Sequence, residues 1–169
     1  MEMPEEHGQV MDAAREVLEK LLGLMDMPAT VAPSTLFSIG GEEESLASLT
    51  LDIKGDDLGI LIGRRGQTLA SLQYLVRLIV SQKTQTKLPI IIDIEGYKRH
   101  RWESLRSLAL RMADQVKQRR IPFTLEPMPA FERRIIHLAL ADNPDVTTES
   151  TGEGEARQVV ILPRKSFNT

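Results

Sequence analysis

The 169-residue sequence contains no cysteine, which excludes disulfides, thiolate metal sites and thiol catalysis. Only three histidines occur, His7, His100 and His137, and no two are spaced as helical metal ligands are, so neither a zinc site nor a cofactor is expected. Aromatic residues are scarce, with one Trp, two Tyr and four Phe, leaving little material for a broad base-stacking platform. The apolar runs are far shorter than a membrane span, and the start Met1-Glu2-Met3-Pro4-Glu5-Glu6 is acidic where a secretory leader is basic. A cytoplasmic protein is expected. No Gly-x-x-x-x-Gly-Lys-Ser/Thr loop and no nucleophile with an identifiable base can be found, so an enzyme is not expected. Positive charge is missing from the front of the chain. Up to Asp57 there are three basic side chains (Arg15, Lys20, Lys54) against thirteen acidic ones, and the rest of the 21 basic residues lie beyond it. The formal charge of −3 therefore hides a split that suggests one solvated surface and one binding surface.

What is present at the start of the basic part is Gly63-Arg64-Arg65-Gly66, with the apolar run Leu58-Gly59-Ile60-Leu61-Ile62 before it and a helix-patterned run after. Glycines let a backbone turn sharply and let a ligand approach without meeting a Cβ. The two arginines make a cationic lip, and a helix opening at Gln67 and Thr68 offers N–H groups to an anion. Such a loop suits a sugar-phosphate backbone. Alone it is a weak signal, because surface turns of this composition arise by chance.

The surrounding order gives it weight. Val10, Ala14, Val17, Leu18, Leu21 and Leu22 predict a helix over 5–25, and residues 29–39 and 45–53 read as two strands joined by the turn Gly40-Gly41-Glu42-Glu43-Glu44. Asp56-Asp57 read as the capped start of a short helix over 57–62. A longer helix follows from Gln67 with Leu69, Leu72, Leu75, Val76 and Ile79 on its apolar face, then the strand 89–94. Trp102, Leu105, Ala109, Met112 and Val116 mark the buried stripe of a basic helix over 97–118. Phe123-Thr124-Leu125 is short and extended, 130–141 is a third major helix, and 146–150 with 158–162 form a hairpin around Gly152-Glu153-Gly154. In the helix 130–141, Phe131, Ile135 and Leu138 are the expected core stripe, which puts Arg133 and His137, four residues apart, roughly on the opposite side. An arginine beside an imidazole can hold a phosphate, or stack on a base while holding its phosphate.

The α-β-β-α-α-β order with Ile62-Gly63-Arg64-Arg65-Gly66 between its helices resembles a type II KH domain. The segment from Tyr97 onward, with Glu132-Arg133-Arg134-Ile135-Ile136-His137 and the tail Thr148-Glu149-Ser150-Thr151-Gly152-Glu153-Gly154-Glu155-Ala156-Arg157, resembles the R-x-x-x-H single-stranded nucleic-acid-binding domain (α-β-α-β-β). This pairing is the arrangement of the bacterial Jag, or SpoIIIJ-associated, family. The expected fold class is α+β with two small domains, 1–95 and 96–169. Many Jag members carry an additional N-terminal Jag domain and linker; this sequence starts at the KH module, as a short member or a piece of a longer one would.

The resemblance implies an RNA-binding regulator of cell elongation or division that pairs with a small single-KH protein; single-stranded DNA as ligand, a dimer, and a protein-docking adaptor stay open. It assigns Gly63 and Gly66 to close backbone approach and Arg64 and Arg65 to the cationic lip. Gln67 and Thr68 would add donors to phosphate, and Ile60, Ile62 and Leu69 would wall a base groove in competition with core packing. Arg133 and His137 would be the signature pair of the second domain, with Arg134 and Arg157 as auxiliary contacts. Lys98, Arg99, Arg101, Arg119 and Arg120 would either extend a basic track or form an ordinary solvated helix face.

Overall fold

Residues Glu5–Leu24 form helix α1, because Val10, Ala14, Val17, Leu18 and Leu22 recur at three- and four-residue spacing and all become buried. The computed structural model describes residues 5–34 and 49–164; the predicted turn 40–44 and the adjoining parts of its two strands lie outside them. The described remainder of those strands is β1 (Ala29–Pro33) and β2 (Leu49–Gly55), paired antiparallel with Val31 opposite Ile53. Next come the short helix α2 (Gly59–Ile62), helix α3 (Gln67–Thr84) and strand β3 (Ile90–Ile94). β3 pairs with β2 in parallel, giving the sheet order β1-β2-β3. A parallel neighbour cannot be reached by a tight turn, so the chain crosses over through α2 and α3. That crossover carries Gly63–Gly66.

Leu49, Leu51 and Ile53 of β2 and Ile90, Ile92 and Ile94 of β3 face α1 and α3, whose Leu69, Leu72, Val76 and Val80 complete the core. Each fully buried Leu or Ile contributes roughly 1.5–3 kcal/mol, so this cluster is the main source of stability in the first unit. The outer edge of β3 is covered by side chains. Arg77 Nε donates to the Ile90 carbonyl at 2.6 Å, Gln73 Oε1 accepts from the Ile92 N–H at 2.9 Å, and Asp93 Oδ1 accepts from the Ile94 N–H at 2.9 Å.

The second unit contains helix α4 (Tyr97–Arg119), strand β4 (Phe123–Thr124), helix α5 (Ala130–Leu140) and strands β5 (Val146–Thr151) and β6 (Gln158–Pro163). The three strands form an antiparallel sheet in the order β4-β6-β5. Its core gathers Leu105, Ala109, Ala113 and Val116 from α4, Ile135, Ile136 and Leu140 from α5, and Val146, Val159 and Ile161 from the sheet. By internal packing the chain divides between Arg99 and His100, within the first turn of α4.

Three sequence expectations change. Asp57 does not cap a helix: its φ is 54°, a left-handed conformation, and α2 starts at Gly59 after Leu58, with no side-chain cap bond. Leu75 and Ile79 leave the apolar face of α3, where Val80 is buried instead, and they stand 48% and 37% exposed. On α5 the buried residues are Glu132, Ile135, Ile136 and Leu140, whereas Phe131 and Leu138 are more than half exposed.

Candidate nucleic-acid interface

Gly63 has φ 69° and ψ −176°, a backbone region that only glycine occupies without strain. A Cβ at this position would overlap the hydroxyl of Thr68. Its N–H donates to the Gly59 carbonyl at 3.0 Å, ending α2. Arg64 is exposed. Arg65 follows in the left-handed region at φ 53°, half-buried, and Gly66 at φ 74° completes the bend. A Cβ on Gly66 would meet the Tyr97 ring at 3.0 Å, so both glycines are held by contact as well as by conformation. Gly66 is the residue before α3 and supplies no capping side chain, so the first turn of α3 presents its N–H groups beside the loop. Gln67 and Thr68 are exposed there. The arrangement is a concave, cationic backbone cradle that suits an anion.

The expected groove walls separate. Leu69 is core, Ile62 is half-buried against the core, and Ile60 is 72% exposed. Tyr97 was not singled out by the sequence as part of the loop; its ring reaches Gly66 from the start of α4, and no local pattern announces that contact.

In the second unit Arg133 and His137 lie one turn apart on α5, both half-buried. The Arg133 Nε donates to the Met128 carbonyl at 3.3 Å, and the Met128 N–H donates to the Arg157 carbonyl at 3.1 Å. This ties the start of α5 to the turn preceding β6, where the Arg157 side chain is exposed. Arg134 is exposed on α5, on the same side as Phe131 and Leu138 by helical spacing. His137 uses both ring nitrogens: Nδ1 is 2.6 Å from Thr148 Oγ1 and Nε2 is 2.9 Å from Ser150 Oγ. Burial pushes the imidazole pKa below its ordinary value and the Arg133 charge pushes it the same way, so the ring is neutral at pH 7.

The basic track on α4 is shorter than its sequence. Arg101 makes a two-pronged ion pair with the fully buried Glu132, at 2.7 and 2.8 Å. Lys98 donates to Gln73 Oε1 at 2.9 Å, and burial draws its pKa down to about 8 against the opposing pull of Asp93. Neither side chain is a free phosphate contact. Arg120 Nη1 donates to the Arg164 carbonyl at 3.1 Å, while Arg99 and Arg119 remain exposed on α4. Thr148, Ser150, Arg101 and Glu132 belong to the site or to its support, and the sequence pattern did not give them those roles. Among the described residues, no helix is long and apolar enough to cross a membrane.

These geometries coincide with two family models: the KhpA/KhpB KH domain over residues 15–92 and the R-x-x-x-H domain over residues 103–163. The chain belongs to the KhpB (Jag) family. It is 41% identical over 150 residues to the RNA-binding protein KhpB of Clostridium symbiosum, covering 89% of this chain and 64% of that protein. It is 40% identical over 125 residues to the RNA-binding protein KhpB of Bacillus subtilis, covering 73% of this chain and 60% of the relative. To the RNA-binding protein KhpB of Streptococcus pneumoniae it is 26% identical over 153 residues, covering 90% of this chain and 44% of that protein. The chain thus spans less than two thirds of the length of these KhpB relatives. Within the KhpB frame the Gly63–Gly66 cradle lies in the KH module, and Arg133 and His137 lie in the R-x-x-x-H module.

Proposed function

We propose that this chain binds single-stranded RNA through two separate grips, the Gly63–Gly66 cradle of the KH unit and the Arg133–His137 side of the R-x-x-x-H unit. The observation that carries the reading is the cradle. Two glycines at positive φ, two arginines and the uncapped start of an 18-residue helix occupy one short segment. Two modest grips on one chain raise overall affinity through effective concentration when one strand reaches both. Phosphate contacts dominate such binding, so affinity falls steeply with salt, by a log–log slope of about 0.7 per phosphate engaged on single strands. Titration of labelled oligouridine in low and moderate salt tests this. Arg133→Ala/His137→Ala is expected to weaken binding by about tenfold or more and to flatten the salt slope, since charge-assisted hydrogen bonds contribute about 1.5–3 kcal/mol each. Parent-like affinity and slope in that variant would remove the R-x-x-x-H unit from the reading. A matched oligodeoxyuridine decides between RNA and DNA. A regulatory role linked to elongation or division is the finer reading, tested by sequencing the transcripts that crosslink to the chain.

A docked protein partner is a second reading, favoured by the α3 face that carries exposed Tyr74, Leu75, Leu78 and Ile79. With Lys87, Pro89 and Ile91, Tyr74 and Leu78 line a shallow groove beside β3. A small single-KH protein is the proposed occupant. It is expected to co-purify after nuclease treatment with the parent and to be lost from Leu78→Glu, a change on an exposed position that leaves the core intact. Retention by the variant would rule out this face.

A further inference from the structure

We propose that Thr148 and Ser150, aimed by the His137 ring, form a phosphate-binding hydroxyl pair, and that His137 takes up a proton from solvent when this pair closes on a phosphate. The inference rests on the R-x-x-x-H unit being a nucleic-acid grip and adds to it which atoms touch the ligand and how pH controls them. β5 alternates, so Val146, Thr148 and Ser150 point toward α5 while Thr147, Glu149 and Thr151 are exposed. Thr148 and Ser150 are half-buried, and each hydroxyl spends one hydrogen-bonding site on an imidazole nitrogen.

Hydrogen-bond bookkeeping then fixes what the pair can offer. A neutral imidazole has one N–H and one acceptor nitrogen. One hydroxyl therefore receives the ring N–H and keeps its own proton for a ligand. The other must donate its proton to the ring and can only accept from outside. A neutral ring thus presents one outward donor and one outward acceptor, a poor match for an anion. Protonation adds a second ring N–H. Both hydroxyls then receive from the ring, and both O–H protons are free to donate to phosphate oxygens. The imidazolium adds positive charge beside Arg133, and the arriving anion offsets the repulsion between them.

The charged groups around the ring are few. On α5, Arg133 is the side chain whose charge acts on it, Glu132 is buried against Arg101, and Arg134 is exposed. On β5, Glu149 alternates to the other face, and β6 carries no charged residue from Gln158 to Pro163. Among the described residues no carboxylate stabilises the imidazolium in the free protein, consistent with its lowered pKa. A phosphate is the group that would reverse that.

The test follows the ring signals of the three histidines by NMR on the full chain, free, with a short oligouridine, and with inorganic phosphate. With oligouridine the His137 pKa is expected to rise by about 1, and the Kd to fall about three- to tenfold between about pH 8 and about pH 6. His137→Gln, which keeps one donor and one acceptor but cannot take the proton, is expected to give a Kd flat across that range. Ser150→Ala should at least halve the pKa rise, and Ser150→Thr, which retains the hydroxyl, should restore it. A rise with phosphate alone supports the pair as a general phosphate site; a rise with oligouridine only supports a phosphodiester site within a strand. Oligouridine bound with an unmoved or lowered His137 pKa overturns the inference and leaves the RNA reading standing. A rise with phosphate but no oligouridine binding keeps the inference and sinks the RNA reading. No response to either ligand sinks both.

Discussion

Gly63→Asp is expected to lower RNA affinity by about tenfold or more while the far-UV circular dichroism of the chain stays native. At φ 69° and ψ −176° any side chain holds the backbone in a conformation costing about 1–3 kcal/mol. Its Cβ also strikes Thr68, on the first turn of the helix that faces the ligand. The loop escapes by rotating, and the N–H groups of α3 then no longer converge with Arg64 and Arg65. The aspartate adds a negative charge where phosphate would lie. Gly63→Ala separates the two causes: it keeps the steric loss and omits the charge, so its affinity should fall between parent and Gly63→Asp. Gly59→Ala is the control. Nothing lies within 4 Å of a Cβ there, and binding should stay within about twofold of the parent, since surface changes of this kind stay within about 0.5 kcal/mol. Equal affinities for Gly63→Asp and the parent would show that the cradle does not touch RNA.

Glu132→Ala is expected to be the most destabilising single change in the second unit, by about 3–5 kcal/mol in urea unfolding. Glu132 is fully buried, and its two oxygens take the Arg101 guanidinium in a forked pair. Removing the carboxylate leaves a mostly buried cation without this counter-charge. The double change Arg101→Met/Glu132→Leu removes both charges and should unfold within about 2 kcal/mol of the parent, because buried pairs often do little better than well-packed apolar groups. A large loss in the double variant would mean that the pair stabilises α5 by more than mutual neutralisation. The pair also sets the rotation of α5. Arg133 follows Glu132 directly and His137 comes one turn later, so both variants should be assayed for RNA affinity.

Glu132 also explains where sequence reasoning went wrong. Phe131-Glu132-Arg133-Arg134-Ile135-Ile136-His137-Leu138 permits two helical stripes, and the all-apolar choice was Phe131, Ile135 and Leu138. The buried choice contains a carboxylate, acceptable only because Arg101, 31 residues earlier, reaches it. No local pattern encodes such a pairing. The helices and strands themselves were legible, since β2 and β3 are short β-branched runs and α1 has a clean 3.6 period. The Gly63–Gly66 loop was legible for a different reason. Its glycines answer to local backbone demands, and the apolar run before and helix after frame it in sequence. Lys98 and Arg101 looked like free cations because charge is visible in sequence and burial is not. Thr148 and Ser150 were part of a recognised tail, yet their tie to His137 exists only once β5 lies against α5.

The side chains covering the outer edge of β3 have a consequence for how safely this chain can be made. Ile90-Ile91-Ile92 is the kind of short, uncharged, β-branched stretch that templates amyloid-like stacking when its backbone edge is open. Arg77 and Gln73, both on α3, occupy a carbonyl and an N–H on that edge, so a stray strand finds them already taken. The protection depends on α3 having folded first. During synthesis α3 emerges before β3, so the guard is complete before the hazard leaves the ribosome.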